Sequence, residues 1–410
     1  MELRPILSTL RRHKTASALI VLEIALSCAI ICNALFLIAG RLDRMHRPTG
    51  QAENEIVRIQ ITGIGTDDNA AALTRSDLAV LRALPGVTSA SVTNQVTFGG
   101  GSWNSSVNLS PDQTHQTLSS TVYLGDEKLP QTLGLKLVKG RYFNADELLD
   151  WDTVNKPGTN VAVPTAIITT DMAEKLWPGQ DPIGKTLYSW GDDSGSRVVG
   201  VVDKLARPNN QGGPEAYHYS MILPIWTPYT VGGNYLVRVA DPSRRGEVLK
   251  AAVEALQKNG PRRIVLEQDT MENMRADFYR SDRAMAWMLV IVCVALLVVT
   301  ALGIVGLASF WVQQRTKQIG VRRALGATRA QILRYFQTEN FILATAGIVI
   351  GMLLAYGLNQ LMMSKAELPR LPALYLPVGA LVLWLLGQLS VLGPARRAAA
   401  VPPAVATRSV

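Results

Sequence analysis

The residue pattern with the clearest chemical meaning is a possible phosphate-binding loop. Residues 179–186, GQDPIGKT, match the nucleotide-binding pattern G-x-x-x-x-G-K-[ST]. Such a loop works when a strand leads in and a helix follows, because backbone N–H groups and the helix N-terminus then surround the phosphates. Here a predicted helix leads in, a predicted strand follows, and Pro182 removes one backbone donor. We therefore interpret the match as a coincidence and the segment as a tight helix-to-strand turn.

Other residues that could support catalysis or bind a metal are few. No G-x-S-x-G motif lies near any of the four histidines, which are His13, His46, His115 and His218. Cys28 and Cys32 are four residues apart in an apolar run, and a metal site would need further ligands on that face. We predict no catalytic residue, metal or cofactor in this chain, which is not expected to be an enzyme.

Four apolar stretches are long enough to cross a bilayer, which takes about 20 residues. They give predicted transmembrane helices at residues 15–40, 270–311 (with a stalk), 341–362 and 374–393. The polar segment 41–269 is large enough to bury its own core. The predicted fold is therefore an α-helical membrane domain of four transmembrane helices, with a large α/β (α+β) extracytoplasmic domain inserted between the first and second helices.

Basic residues indicate the orientation of the chain. They are concentrated in residues 1–14, 312–340 and 394–410, whereas the loop between the third and fourth spans has only Lys365 and Arg370. Because basic loops stay in the cytoplasm, we predict a multi-pass membrane protein with both termini cytoplasmic and the large domain outside. Residues 1–14 are predicted to form an interfacial helix on the membrane lipids. The net charge of +9 lies mostly at these flanks, so no nucleic-acid partner is expected.

Alternating patterns in the large domain predict both strands and helices. Predicted strands cover residues 55–61, 121–124, 166–169, 196–202 and 235–239, and predicted helices cover 75–84, 171–177 and 245–258. The stretch FGGGSWNSS at 98–106 is typical of a mobile loop, in which Trp103 either anchors the loop or contacts an adaptor. Residues 189–195 are typical of a hairpin turn.

The segment between the second and third spans has the most regular cationic pattern. Residues 313–327, QQRTKQIGVRRALGA, alternate charged and apolar side chains at roughly helical spacing. The basic residues could fix topology at the lipid headgroups, or the helix could present one face to a cytoplasmic partner, which we favour. Glycines would allow the close backbone approach that suits a helix set in a cleft. The candidate docking residues are Arg315, Thr316, Lys317, Ile319, Gly320, Arg322, Arg323, Ala324, Leu325, Gly326 and Ala327.

The approach to the second span predicts a stalk. No Gly or Pro occurs from 270 to 302, which gives on the order of 50 Å of helix, whereas the hydrocarbon core is about 30 Å thick. Asp269 is the expected N-cap, with Glu272 as its capping-box partner. The surplus length should stand in water and transmit motion. Its charged residues are Asp269, Glu272, Arg275, Asp277, Arg280 and Arg283.

The polar and small residues within the spans are interpreted as structural. Glu23 is expected to be neutral, hydrated near the interface, or paired with a group such as Gln388 or Asn359; a structural hydrogen bond is favoured over a switch. Gly347 and Gly351 form a G-x-x-x-G motif that lets helices approach closely, and we expect packing within one subunit rather than a dimer seam.

These features together resemble the FtsX/MacB superfamily of ABC-transporter permeases. The segment RTKQIGVRRALGATRAQILRYFQTEN, residues 315–340, resembles its signature, and one span, a large outer domain and three spans follow its order. Residues 140–144, 166–187 and 198–203 resemble parts of the MacB-type periplasmic core domain. The resemblance implies a MacB-like core domain at 41–269 and an FtsX-like permease domain at 284–402. It also implies that the protein lies in the bacterial inner (cytoplasmic) membrane, with the large domain in the periplasm.

The family resemblance also implies partners. It implies a homodimer, or a heterodimer with a related permease, with two ABC ATPase subunits docked on residues 312–340, which act as a coupling helix. ATP and Mg²⁺ would be bound by the ATPase. In MacB the ATPase domain precedes the permease; only about a dozen residues precede the first span here, so we expect a separate ATPase polypeptide.

Two classes of function are compatible with this resemblance. The first is mechanotransmission, in which ATP hydrolysis moves the outer domains and expels a periplasmic substrate, a peptide, antibiotic or similar molecule, through a membrane-fusion adaptor and an outer-membrane channel. The second is an FtsX-like regulator that activates a periplasmic cell-wall hydrolase without transport. A lipoprotein-extracting permease is a further variant. The size of the outer domain and its MacB-like motifs favour export.

Overall fold

The computed structural model describes residues 14–65, 69–156, 161–189, 194–260, 262–366 and 370–400, except the side chains of 362 and 364–366. The chain divides into two compact units. The outer unit is Arg47–Arg280, and the membrane unit comprises Met1–His46 and Ser281–Val410. The predicted interfacial helix, apart from Lys14, and most of the predicted turn at 189–195 lie outside the described residues.

The elements are numbered in chain order. The helices are α1 (Lys14–Met45), α2 (Ala70–Arg82), α3 (Leu129–Thr132), α4 (Trp151–Val154), α5 (Thr170–Leu176), α6 (Arg245–Asn259), α7 (Met271–Phe278), α8 (Arg280–Gln314), α9 (Thr316–Ala324), α10 (Arg329–Ala366) and α11 (Tyr375–Ala400). The strands are β1 (Ile56–Gly63), β2 (Val87–Thr93), β3 (Asn104–Val107), β4 (Leu118–Leu124), β5 (Leu137–Gly140), β6 (Leu149–Asp150), β7 (Thr165–Thr169), β8 (Thr186–Leu187), β9 (Ser196–Val202), β10 (Ser220–Leu223), β11 (Ile225–Trp226), β12 (Asn234–Val239) and β13 (Arg263–Thr270).

A four-stranded antiparallel sheet forms one core of the outer unit. Its strand order is β13-β1-β12-β2. Alternate residues of β1, Val57, Ile59 and Ile61, point to one face, as the two-residue period of a strand requires. Side chains of α2 and α6, among them Leu81 and Leu256, cover that face and complete a buried cluster. The apolar stripes of both helices are therefore explained by one shared sheet.

A second, mixed sheet forms the other core of the outer unit. Its strand order is β3-β4-β10-β7-β9-β5, with β8 paired to β9. The β7–β9 and β4–β10 pairs are parallel, while β10–β7 is antiparallel. Helix α5 packs Met172 and Leu176 into this core beside Ile168 and Val198.

The predicted elements of the outer unit are largely confirmed. All five predicted strands and all three predicted helices are present, and β9 has the predicted bounds. The Gly-rich stretch at 98–106 was predicted as a loop, but its last residues belong to β3 and Phe98 is only 8% exposed. Strands β2, β10 and β13 were not predicted from the sequence.

The membrane unit confirms the predicted four spans. Helices α1, α8, α11 and residues Arg329–Leu361 of α10 are long and apolar enough to cross a membrane. Helices α10 and α11 pack against α1, where Ile24, Cys28 and Cys32 are buried. Together with the inserted outer unit, these helices give the predicted fold class.

Two glycines bring α10 close to α1. A Cβ at Gly347 would lie 2.8 Å from Cβ of Ile24, and a Cβ at Gly351 would lie 2.5 Å from Cβ of Cys28. Neither neighbour is the mobile end of a long side chain, so a larger residue would separate the helices. The G-x-x-x-G motif is thus used for packing within one chain.

The predicted continuous stalk helix is wrong. Strand β13 extends to Thr270, α7 ends at Phe278, and Tyr279 has non-helical backbone angles (φ −94°, ψ 14°) before α8 begins. Tyr279 is only 1% exposed and packs against Phe98 and Phe278, with ring centroids 5.9 and 5.0 Å away. Burial of this aromatic side chain offsets the helical hydrogen bonding that is lost where the helix is interrupted.

The predicted cap of the stalk is displaced by one residue. Thr270, not Asp269, is the N-cap, since its hydroxyl accepts a hydrogen bond from the N–H of Asn273 at 3.2 Å. Asp269 instead accepts from the Asn273 side chain at 2.7 Å. Glu272 pairs with Arg245 at 2.8 Å rather than closing a capping box.

The charges expected to stand in water are mostly paired. Arg275 donates to both carboxylate oxygens of Glu53, at 2.7 and 3.0 Å, and to the backbone oxygen of Arg47 at 2.8 Å. It therefore joins the segments by which the chain enters and leaves the outer unit. Arg280 and Asp277 form an exposed pair at 2.5 Å, and the Arg283 side chain is exposed as well.

Candidate functional site

The candidate site is built around the short helix α9, which is sharply defined at its C-terminal end. Gly326 has φ +98° and donates to the backbone oxygen of Arg323, while Ala327 donates to that of Arg322. These two bonds form a Schellman motif, which requires a left-handed residue after the helix. Among the residues that the structure describes, no atom outside the helix end itself lies within 4 Å of a Cβ placed on Gly326. The positive φ therefore gives this glycine a role in ending the helix, and the predicted close backbone approach of a partner stays a prediction.

The next helix begins with a capping box. Thr328 N–H donates to Gln331 Oε1 at 2.9 Å, and Gln331 N–H donates to the Thr328 hydroxyl at 3.3 Å. Reciprocal bonds of this kind satisfy two donors at a helix start. The T-x-x-Q spacing in the sequence would have predicted this start. The turn between α9 and α10 is thus fixed from both sides.

One face of α9 is packed into the membrane unit. Ile319 is 6% exposed, Gly320 is buried, and Ile319 belongs to the same cluster as Ile332 and Phe336 of α10. Arg323 donates to the backbone oxygen of Ala399 in α11 at 3.1 Å. Thr316 is half-buried, and its hydroxyl donates to the backbone oxygens of Val312 and Gln313 in α8, both at 2.9 Å. These contacts hold α9 in a defined orientation.

The opposite surface of α9 is exposed and partly apolar. Lys317, Val321, Ala324 and Leu325 follow an i, i+4, i+7, i+8 spacing and therefore share one helix face. All four are exposed, with Val321 at 49% and Leu325 at 83%. We call these four residues the exposed face of α9.

A buried ion pair lies under the start of α9. Arg315 Nη1 donates to both oxygens of Glu339, at 2.8 and 3.1 Å, and the two side chains are only 10% and 2% exposed. The guanidinium also lies 5.6 Å from the ring centroid of Trp311. Arg315 was predicted to act as part of an exposed cationic segment, and the structure corrects this. Glu339 is the only acid among the many basic residues of 312–340, and it supplies the counter-charge without which the buried Arg315 would be strongly destabilising.

A pocket opens between α9 and α10. Its volume is about 150 Å³, which is below the range of about 300–1,000 Å³ typical of drug-sized ligand sites. Arg322 extends over the ring of Tyr335, 5.1 Å from its centroid. We call this cavity the α9–α10 pocket; its lining residues are Arg315, Gln318, Ile319, Arg322, Ala327, Gln331, Ile332, Tyr335 and Phe336.

The predicted docking residues thus separate into three groups. Lys317, Ala324 and Leu325 lie on the exposed face, whereas Ile319 and Gly320 are buried. The remaining predicted residues contribute to the pocket, the packed side or the helix end; they are Arg315, Thr316, Arg322, Arg323, Gly326 and Ala327. Sequence reasoning missed Gln318, Gln331 and Tyr335, which line the pocket.

The intramembrane polar residues do not pair as expected. Gln388 donates to the backbone oxygen of Gln337 at 3.4 Å, and Asn359 accepts from the N–H of Leu371 at 2.9 Å. Neither of these hydrogen bonds involves Glu23, for which pairing with such an amide was one of three alternatives. Glu23 instead lies against Gly303 of α8, where an added Cβ would be 2.5 Å from its Oε2.

The phosphate-loop match has the predicted surroundings. Helix α5 precedes it and strand β8 follows it. Lys185 lies 5.4 Å from the ring centroid of Trp177 and bonds to Gln180. The lysine is thus engaged by neighbours in a helix-to-strand turn.

Two family models match the chain. The MacB-like periplasmic core domain matches residues 17–256, and the FtsX-like permease C-terminal domain matches residues 290–403. The first match alone covers more than half of the chain, and the second covers α9, its pocket, α10, α11 and α8 from residue 290 onward.

Curated relatives include proteins from several bacteria. The macrolide export ATP-binding/permease protein MacB of Bordetella avium is 28% identical over 308 residues, 70% of this chain and 43% of that protein. MacB of Vibrio parahaemolyticus is 26% identical over 236 residues, 54% of this chain and 32% of that protein. The uncharacterized ABC transporter permease YknZ of Bacillus subtilis is 24% identical over 275 residues, 67% of this chain and 66% of that protein. The chain thus spans less than half the length of these MacB relatives.

Solved structures of related domains are also similar. The periplasmic region of MacB from Actinobacillus actinomycetemcomitans aligns with 57% of this chain and 97% of that structure, with 17% identity and a TM-score of 0.34. The extracellular domain of YknZ aligns with 51% of this chain and all of that domain, with 17% identity and a TM-score of 0.31. The assignment rests on the family models, which match both domains in the expected order. The chain belongs to the FtsX/MacB-like family of ABC transporter permeases.

Proposed function

We propose that this chain is the permease subunit of a MacB-like ABC transporter. Two copies of an ATPase subunit dock on the exposed face of α9, bind ATP and Mg²⁺, and drive a movement of the outer unit that expels a periplasmic substrate. The observation that carries this proposal is the 83% exposure of Leu325 on a short helix that is fixed at its end and on its opposite side.

The exposed face has the properties of a docking surface. An exposed leucine next to a valine gains about 1.5–3 kcal/mol when it is buried in a partner. Lys317, on the same face, supplies a cation that can select an acidic surface. Because Ile319 and Arg323 hold the helix against α10 and α11, a force applied to the face reaches the spans.

Export is favoured over the regulatory alternative by the relatives. Those of Bordetella avium and Vibrio parahaemolyticus are described as macrolide export proteins. We extend this to a substrate class of antibiotics, peptides or similar molecules, delivered to a periplasmic adaptor and an outer-membrane channel. Two copies of the permease would meet along α8, whose large side chains Trp287, Ile291 and Leu302 are each at least 65% exposed within the chain.

The docking proposal is tested with Leu325→Asp. The matched control is Leu374→Asp, since Leu374 is a 73% exposed leucine in the loop between the last two spans, away from α9. Leu325→Asp should insert normally but lose co-purification of the ATPase and substrate-dependent ATP hydrolysis. Leu374→Asp should keep both. Equal ATPase recovery with the two variants would show that α9 is not the dock.

Orientation is tested separately by cysteine labelling. The three native cysteines, Cys28, Cys32 and Cys293, are buried, so a single added cysteine gives a clean signal. We expect Leu109→Cys in the outer unit to react with a membrane-impermeant maleimide from the periplasm, and Leu325→Cys to react only after the membrane is opened. If the Leu109→Cys and Leu325→Cys variants were labelled from the same side, the proposed transmission of movement across the membrane would be wrong.

A further inference from the structure

The α9–α10 pocket lies on a different side of α9 from the exposed face. At about 100° per residue, the mean direction of the α9 residues that line it, Gln318, Ile319 and Arg322, is about a third of a turn from that of the exposed face, with Gln318 lying next to Leu325 at the border between the two. An ATPase seated on the exposed face would therefore leave a separate cavity between α9 and α10. We propose that this pocket binds the phosphate group of an anionic phospholipid headgroup.

The pocket has an unsatisfied, buried donor. Arg315 uses Nη1 for Glu339, but its Nη2 is buried and has no hydrogen-bond partner among the residues that the structure describes. Arg315 as a whole is 8% exposed. A buried guanidinium donor without an acceptor is costly, so an acceptor brought by a ligand would be stabilising.

The charge and donor set of the pocket favour an anion with several oxygens. Glu339 neutralises Arg315, and Arg322 leaves one positive charge in excess. The side-chain oxygen of Gln331 already accepts a hydrogen bond from the Thr328 N–H at the start of α10, so the side-chain N–H groups of Gln331 are what it can offer to a ligand. Arginine and amide donors arranged around one cavity match the multiple acceptor oxygens of a phosphate.

The position of the pocket favours a lipid as the source of the phosphate. Arg315 follows Trp311 by one helical turn, about 6 Å. Tryptophan and tyrosine side chains, here Trp311 and Tyr335, are typical of the headgroup layer. The lining also includes Ile332 and Phe336, which suit the glycerol and the first methylenes of an acyl chain. Basic pockets between spans at the cytoplasmic side are a known mode of anionic-lipid recognition.

A bound headgroup would join the two helices that form the pocket. It would contact Arg322 of α9 and Gln331 of α10 at the same time. The turn 325–328 between these helices is already fixed by its Schellman motif and capping box. The lipid would therefore stiffen the path from the docking face to the third span, and the composition of the inner leaflet would regulate coupling.

The experiment measures lipid retention by the purified full chain without an ATPase. Native mass spectrometry in detergent would count phosphatidylglycerol and phosphatidylcholine retained by the wild type, by Arg322→Gln and by Arg334→Gln. Arg334 is the matched control because it is an exposed arginine of α10 at the same level that does not line the pocket. We expect a preference for phosphatidylglycerol that Arg322→Gln weakens about tenfold, the loss of one charge-assisted bond, and that Arg334→Gln keeps.

The outcomes separate the possible occupants. Equal retention by the two variants, or no preference for phosphatidylglycerol, would overturn the proposal. If inorganic phosphate abolishes the preference, the site takes free phosphate and the lipid assignment is wrong. If Arg322→Gln leaves lipid retention unchanged but loses ATPase recruitment, an acidic side chain of the ATPase occupies the pocket instead. Because the lipid measurement needs no ATPase, it stands or falls separately from the docking proposal.

Discussion

Each unit of the molecule contains a buried arginine–carboxylate pair, and the surroundings of the two pairs differ. In the outer unit, Asp77 and Arg263 have side chains that are 0% and 3% exposed. Asp77 accepts hydrogen bonds from both terminal nitrogens of Arg263, from the Tyr235 hydroxyl at 2.6 Å and from Asn259 at 2.7 Å. Arg263 also donates to the backbone oxygen of Leu256 at 3.0 Å. In this pair every neighbour is supplied by the outer unit itself.

The pair in the membrane unit is less complete. Arg315 and Glu339 are bonded, but Arg315 Nη2 has no acceptor within the described part of the chain, and the arginine borders an open pocket. A buried ion pair offsets its desolvation only when further hydrogen bonds satisfy both groups. The two pairs therefore differ in what completes them: the outer pair is completed by its own fold, whereas the incomplete pair next to a cavity is the one that we propose binds a ligand.

The largest expected effect is at the complete pair. Asp77→Ala leaves the Arg263 guanidinium buried without its counter-charge, and we expect the outer unit to lose about 3–5 kcal/mol of stability. Hydrogen exchange of the β1 and β12 amides in the full chain would measure the loss. Asp150→Ala is the control, since Asp150 pairs with Arg75 at the surface, where both are more than half exposed, and should cost less than about 1 kcal/mol.

A smaller effect is expected at the incomplete pair. Glu339→Gln keeps an acceptor oxygen for Arg315 but removes the negative charge, and we expect a loss of about 1–3 kcal/mol. The pocket lets a ligand or water reach the guanidinium, which limits the cost. The same change should increase retention of phosphatidylglycerol, because the pocket then has two uncompensated cations. Thermal unfolding and native mass spectrometry check the two parts. A loss as large as that of Asp77→Ala, with no gain in lipid retention, would remove the distinction between the pairs.

The sequence predicted the elements better than the contacts between them. The period of 2 in β1 and the period of 3.6 in α6 are local patterns, so the strands and helices could be found one at a time. The four spans required only length and composition. The break at Tyr279 could not be found this way, because its aromatic partner Phe98 is about 180 residues away in the chain.

The candidate site was predicted only in part for the same reason. The exposed face of α9 follows from local spacing, and residues 315–327 were correctly placed on a short helix and its end. That Arg315 points inward depends on Glu339, which lies on another helix 24 residues away. Two further local patterns were present in the sequence: Gly326, a residue typical of a helix end, and T-x-x-Q, a pattern typical of a helix start. The glycine was interpreted as allowing close backbone approach, and the T-x-x-Q pattern was overlooked.

A third prediction concerns one donor of the complete pair. The Tyr235 hydroxyl donates to Asp77, and burial raises the pKa of Tyr235 well above its ordinary value, so the donor stays protonated. Tyr235→Phe should cost about 1–1.5 kcal/mol, the net value of one hydrogen bond in a protein, measured by hydrogen exchange. Combined with Asp77→Ala it should add almost nothing, because the acceptor is already gone. Full additivity would show that the tyrosine acts independently of the pair.

The smallest expected effect is at a third buried carboxylate, which lies between the two extremes. Asp126 in the outer unit accepts from Arg82 at 2.6 Å and from the Ser91 hydroxyl at 2.5 Å, and it is 4% exposed. Burial raises the pKa of Asp126, because the cost of desolvating its charge outweighs the lowering effects of Ser91 and Arg82. Arg82 also donates to the backbone oxygen of Ala90 at 2.9 Å, so its guanidinium group serves two acceptors, Ala90 and Asp126.

The sign of the resulting pH dependence follows from this raised pKa. A carboxyl group with a higher pKa in the folded than in the unfolded chain binds more protons when folded, so its stabilising contribution is present at low pH and lost as pH rises through the folded-state pKa. Relative to Asp126→Asn, the wild type should therefore lose stability as pH rises from the ordinary aspartate value of 3.8 through the raised one. Melting curves of both proteins across this window measure the difference. A wild type that instead gains stability would show that Arg82 and Ser91 outweigh burial, and Asp126 would then belong with Asp77 among the complete pairs.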